Sequence, residues 1–245
     1  MERRGRYARD DLEFARAVTF FDAIFAFAVT LLITTVDDFS PAAWSSLAAL
    51  KEANGSSLLA FSISFVVVVS FWRANHQQVT SLSAIDGRII GLNCLVMFGI
   101  VLIPFTTEAI GKLGDMPLPV AVYAVDIAAT YLVQCAIVLV ADRKGLSRTR
   151  MTPLQLRWEL ATYAVLPVIF LGSIAFAYLV SPQAAEWSWI GIAVLIPLVQ
   201  RLAKARLGDE APGRLASPNP APPNPAPHRP APPDTAARRP EEPAG

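Results

Sequence analysis

Long apolar runs broken by short polar stretches dominate the chain. Val18 to Val36 holds a single charge, Asp22, while Leu58 to Trp72 and Ile89 to Thr107 hold none. Runs of this length exceed what a buried core helix needs and match the thickness of a bilayer. The pattern predicts six membrane helices, at Val18–Val36, Leu58–His76, Ile89–Ile110, Leu118–Ala141, Leu160–Val180 and Trp187–Leu202. The first run is too long, and starts too far into the chain, for a cleaved signal peptide. Between the first two spans, Pro41 to Ala53 reads as a short amphipathic surface helix with Trp44 at the interface. No internal repeat is visible, and Pro104 and Pro167 are candidate kink positions in the third and fifth spans.

Composition sharpens the class. Of 245 residues, 53% are apolar and only 17% charged; the mean hydropathy is +0.43. This excludes a soluble enzyme with surface loops, and the uninterrupted runs disfavour an outer-membrane barrel, whose strands alternate. The fold class is therefore all-α, polytopic and membrane-spanning. Cys94 and Cys135 both fall inside apolar runs and read as small core residues. With two histidines, no Cys/His cluster and no glycine-rich phosphate loop, no metal or other cofactor and no nucleic-acid partner are expected.

Charge fixes the orientation. The net formal charge is only +1, but 19 of the 21 Lys and Arg residues fall on one side of the expected topology. They sit before the first span, in the 2–3 and 4–5 loops, and after the sixth span; Lys51 and Lys112 alone lie opposite. The positive-inside rule then puts both termini in the cytoplasm of a multi-pass plasma-membrane protein. The organisation is a basic N-terminus over 1–17, a six-helix region over 18–207 and a tail over 208–245. Twelve of the 20 prolines lie in that tail, between Pro212 and Pro243, so it reads as disordered and partly polyproline.

Polar groups inside the spans carry the candidate chemistry, because leaving them unpaired in hydrocarbon is costly. On a helical wheel of the first span, Phe27, Thr30, Leu31, Thr34 and Asp38 share one stripe, within about 60° of Phe27. Asp22 lies about 140° away from it. One reading of the stripe is an ordinary helix face whose threonines bond back to their own carbonyls. The other is a pore face: an apolar constriction, hydroxyls for a partly dehydrated ion, and Asp37 and Asp38 concentrating cations at the outer mouth. Asp22, Asn93 and His76 sit at similar depth from the cytoplasmic side on three spans, with Trp72 one turn from His76. These suit a structural hydrogen-bonded cluster. Arg16 pairs across helices or reaches headgroups, and Asp126, in the fourth span, has no evident partner.

The first span contains Arg16-Ala-Val-Thr-Phe-Phe-Asp-Ala-Ile-Phe-Ala-Phe-Ala-Val-Thr-Leu-Leu. The second carries Ser64-Phe65, Trp72 and His76, and the third Asn93 and Pro104-Phe105. Together these resemble the prokaryotic branch of the endolysosomal potassium channel family, transmembrane protein 175, over roughly Arg16 to Ile110. Three positions depart from the family pattern: Phe21 where it has Ser, Phe27 where it usually has Ile or Leu, and Thr34 where another apolar residue is common. The resemblance implies a homotetramer passing potassium ions through a pore lined by the first helix of each subunit. Phe27, Thr30, Leu31 and Thr34 are then the pore candidates, and Arg16, Asp22, Trp72, His76 and Asn93 the supporting cluster. A proton-coupled secondary transporter using Asp22 and Asp126 is the alternative. No arrangement suited to enzymatic catalysis is present.

Overall fold

The computed structural model describes residues 5–36 and 40–189, together with Leu198, Arg201, Leu202, Ala205 and Arg206. The described residues form a short strand β1 (Arg6–Ala8), α1 (Leu12–Leu32, continued by a single 3-10 turn, Ile33–Thr35), and α2 (Leu47–Ser81). There follow β2 (Ala84–Asp86), α3 (Gly87–Leu113), α4 (Pro117–Arg143), α5 (Pro153–Leu179) and the short α6 (Pro182–Ser188). Five of the helices are long and apolar enough to cross a membrane. The protein is an all-helical, multi-pass membrane protein.

The helices overrun the apolar runs that predicted them, because local signals at their ends propagate them beyond the hydrocarbon. Ser46 caps α2, its side chain accepting from Ala49 N at 3.1 Å, so the helix starts eleven residues before Leu58. The separate surface helix expected over Pro41–Ala53 is thereby corrected: residues 47–53 are the first turns of a 35-residue α2, and Trp44 lies exposed in the turn before it. At α5, Thr152 and Gln155 form a reciprocal capping box around Pro153, which starts that helix seven residues before Leu160. The sixth expected span, Trp187–Leu202, lies mostly outside the described residues; Trp187 and Ser188 end α6. The tail from residue 208 is also outside them. Pro104 and Pro167 are accommodated within continuous helices.

α4 occupies the middle of the bundle, packed between α3 and α5, while α1 lies against α2 and α3 at the edge. Its buried residues stack in aromatic layers: Tyr131 on Phe71 at 4.0 Å between centroids, and Tyr123 on Trp189 at 5.1 Å. The Tyr123 hydroxyl meets Ser64 Oγ at 3.0 Å, and Thr107 donates to the same oxygen at 2.7 Å, so the one polar layer at that level is satisfied. Cys135 is half-buried, but Cys94 faces outward on α3, contrary to the expectation that both sit in the core. α3 and α4 approach closely at Gly99, where an added Cβ would fall 1.9 Å from Thr130 Oγ1. Close approach of small residues is how membrane helices gain packing without a hydrophobic driving force. Gly99→Ala is therefore expected to force α3 and α4 apart and to cost roughly 1–3 kcal/mol of stability. A thermal midpoint in detergent equal to that of the unaltered protein would contradict this.

At one end of the bundle the chain is stitched together by main-chain bonds. β1 pairs antiparallel with β2, Arg6 opposite Asp86 and Ala8 opposite Ala84. α4 ends in a Schellman motif: Gly145 takes φ +58, Leu146 N donates to Ala141 O at 2.9 Å and Gly145 N to Asp142 O at 3.1 Å. That turn delivers Leu146 and Arg148 to the segment before β2, where Ser83 N donates to Leu146 O at 2.8 Å and Arg148 N to Ser81 O at 2.9 Å. Arg6 Nη2 donates to Gly145 O at 3.1 Å, and Arg9 Nη1 to Thr80 O at 3.0 Å. Asp86 caps α3 through Arg88 N and Ile89 N, and Lys144 binds its other oxygen. Burial alone would raise the Asp86 carboxyl, but Lys144 and the two amides outweigh it and hold the group below its ordinary value. The segment leading into α1 is thus fixed to both neighbouring loops.

Candidate functional site

The candidate site is the face of α1 turned away from the rest of the chain. The core-facing side of this helix is Phe14, Phe21, Phe25, Ala28 and Leu32. On the opposite side, Phe27 is 63% exposed, Thr30 and Thr34 are exposed, and Leu31 is half-buried. The helical repeat dictates this split, since the buried set clusters roughly 130° from Phe27 on the wheel. α1 is also the least buried of the five spans. Phe20, 55% exposed, continues the outward face about two turns toward the basic end. It falls within about 20° of Phe27 on the wheel, so helical spacing alone extends the stripe to it.

Both threonines bond back to their own helix: Thr30 Oγ1 donates to Phe27 O at 2.8 Å and Thr34 Oγ1 to Leu31 O at 2.7 Å. This is the ordinary behaviour of a helical threonine. It also has a chemical consequence. With each hydroxyl proton committed to a carbonyl, the oxygen presents lone pairs outward and acts on this face as an acceptor. A face of apolar rings punctuated by acceptor oxygens suits a cation better than an anion. Asp37 and Asp38, expected at the outer mouth, lie outside the described residues.

The supporting polar groups divide into two sets. Asp22 faces α2, where Trp72 Nε1 donates to its Oδ1 at 3.0 Å. The Trp72 ring lies 5.5 Å from that of His76. Asn93 does not join them. It is buried between α2 and α3, accepting from Asn75 Nδ2 at 2.7 Å and donating to Ile89 O at 2.9 Å. Asn75 and His76 are adjacent, so their side chains leave α2 about 100° apart, and equal depth does not bring Asn93 to His76. Arg16 is exposed at the start of α1 and touches neither set among the described residues. Phe21, standing where the family has Ser, is 2% exposed and packs edge-on to Phe20 at 6.3 Å. The ring fills core volume there and supplies no hydroxyl to the cluster. Asp126 on α4 keeps one carboxylate oxygen buried and without a hydrogen-bond partner.

Fold and site together define a multi-pass helical membrane protein that presents one mixed apolar and hydroxyl helix face outward. Residues 16–104 match the family described as endosomal/lysosomal potassium channel TMEM175. A protein named as a potassium channel from Chryseobacterium sp. (strain P1-3) is 26% identical over 110 residues, covering 45% of this chain and 55% of the relative. One of the same description from Streptomyces collinus (strain DSM 40733 / Tue 365) is 29% identical over 104 residues, covering 41% and 48% respectively. The matched stretch thus spans about half the length of these relatives. The crystal structure of a lysosomal potassium-selective channel TMEM175 homologue from Chamaesiphon minutus superimposes with a TM-score of 0.64 at 19% identity. That match covers 77% of this chain and 98% of the other, and it establishes likeness of fold.

Proposed function

We propose that the chain is one subunit of a potassium-preferring cation channel of the plasma membrane. In this reading α1 from each of four copies lines a central pore, and both termini face the cytoplasm. One observation carries it: Phe27, Thr30, Leu31 and Thr34 turn away from their own subunit, on the least buried of the five spans. A ring of identical subunits closes such a face into a conduit. The names of the matched relatives point to potassium, and the acceptor oxygens of Thr30 and Thr34 suit it chemically. Asp37 and Asp38 would raise the local cation concentration at the outer mouth. Asp22 and Trp72, with His76 beside them, would brace α1 against α2, and the Asn75–Asn93 pair would brace α2 against α3.

The test is ion flux from purified protein in liposomes, with the reversal potential read in mixed potassium and sodium salts. Thr30→Val keeps the shape of the side chain and removes its outward oxygen. It is expected to move the reversal potential toward that of a non-selective pore. An unchanged reversal potential would remove Thr30 from the selectivity argument, and absence of any flux from the unaltered protein would remove the channel.

The unpartnered oxygen of Asp126 favours a second reading, a proton-coupled transporter using Asp22 and Asp126. That reading requires saturable, substrate-dependent uptake that disappears in Asp126→Asn. In a passive channel, Asp126→Asn leaves flux within about twofold, since it adds no charge and loses no hydrogen bond.

A further inference from the structure

The stitched end of the bundle carries a set of exposed arginines that the channel reading does not use. Arg88, Arg143, Arg148, Arg150 and Arg157 are all exposed, and among the described residues none of them forms an ion pair with a carboxylate. Three acids at this end are engaged elsewhere, Asp86 by Lys144, Asp11 by Ala8 N at 2.6 Å, and Asp22 by Trp72, which leaves Asp142 and Glu159 against five arginines. Arg6 and Arg9 spend their own hydrogen bonds on the carbonyls of Gly145 and Thr80. The backbone that carries Arg148 and Arg150 is held in place. Leu82 bridges to Ser147, Arg148 N bonds to Ser81 O, and the α5 capping box begins two residues after Arg150. Beside these residues Leu154 is 49% exposed at the first turn of α5, and Trp158 is half-buried one turn later. Apolar and indole side chains at that level are what the headgroup boundary of a bilayer accepts.

We propose that Arg148, Arg150 and Arg157 form a binding site for the phosphate groups of anionic phospholipids in the leaflet on that side of the membrane. The chemistry follows from the residue type. A guanidinium is permanently charged, weakly hydrated, and forks onto two phosphate oxygens at once, which an ammonium does not do. The surplus of positive charge selects a net-negative headgroup over a zwitterionic one that carries the same phosphate. Because the 4–5 loop is bonded to the segment before β2, and β2 to β1, a lipid held there rests on the same structure that fixes the start of α1.

The experiment reads lipid binding, so it stands apart from conduction. The full chain is reconstituted in equal parts phosphatidylglycerol and phosphatidylcholine, extracted into mild detergent, and its retained lipids are counted by native mass spectrometry. Phosphatidylglycerol is expected to be enriched about fivefold or more over phosphatidylcholine, the effect of one well-placed arginine near a membrane surface. Arg148→Gln with Arg150→Gln and Arg157→Gln is expected to bring the ratio to one, and the corresponding Lys triple to an intermediate value. Should the Gln triple fail to fold, the Lys triple and loss of enrichment in high salt carry the test. No enrichment in the unaltered protein, or equal enrichment in the Gln triple, overturns the proposal. So does inorganic phosphate, added to protein in phosphatidylcholine alone, if it raises the thermal midpoint as much as phosphatidylglycerol does; the site would then recognise free phosphate.

Discussion

Liposomes carrying Leu31→Asn are expected to release potassium at least about tenfold faster at rest than those carrying the unaltered protein, equivalent to about 1.4 kcal/mol off the barrier. The reason is wetting. Leu31 stands on the outward face between two threonines whose hydroxyl protons are held by Phe27 O and Leu31 O. In a ring of four, a leucyl layer excludes water when narrow, and an ion must shed its hydration to pass. An amide of similar branching but smaller volume gives water two donors and an acceptor at the same level, so the layer stays wet. The substitution leaves the subunit itself intact, because Leu31 is only half-buried and the core side of the helix is carried by Ala28 and Leu32. A resting leak equal to the unaltered protein, with assembly unchanged, would move the constriction away from Leu31.

Much of this arrangement can be read from the residues, and its limits have physical causes. The spans are legible because a bilayer demands an apolar run of fixed length, which few other structures need. Their ends are not, because caps such as Ser46 and the Thr152–Gln155 box extend the helices past the hydrocarbon into polar sequence. That Phe27, Thr30 and Thr34 share one face follows from helical geometry, as does the separation of Asp22 from them; that the face points outward is set by packing. The partner of Asn93 does not follow. Depth along a helix can be counted from sequence, but the direction in which one helix faces its neighbour depends on packing, and here it selects Asn75 over His76. β1 and β2 leave no periodic signal, since three residues each are too few to show alternation; the long-range bonds that form them become visible only in three dimensions. The motif places Arg16 with the polar cluster, but the structure leaves it at the exposed start of α1.

Phe27→Ala tests the same face at its bulkiest position and in the open state. Phe27 replaces the branched aliphatic residue common in the family, and its ring projects from a helix whose neighbours at that point are Ala23 and Ala26, both small and exposed. Nothing in its own subunit holds the ring, which is 63% exposed. Its cost in stability is therefore small, unlike that of a core phenylalanine such as Phe25, where truncation costs roughly 3–5 kcal/mol. In the proposed four-fold ring, however, four phenyl groups would converge. Removing them would widen that apolar layer and shorten the stretch an ion crosses without water. Single-channel conductance is expected to rise several-fold, by about 1 kcal/mol of barrier on the scale where 1.4 kcal/mol is tenfold. The change should add to that of Leu31→Asn less than independently, because both relieve the same dehydration step. A fall in current with the oligomer intact would mean that the phenyl ring supports the open pore, and α1 would have to be turned about its axis to account for it.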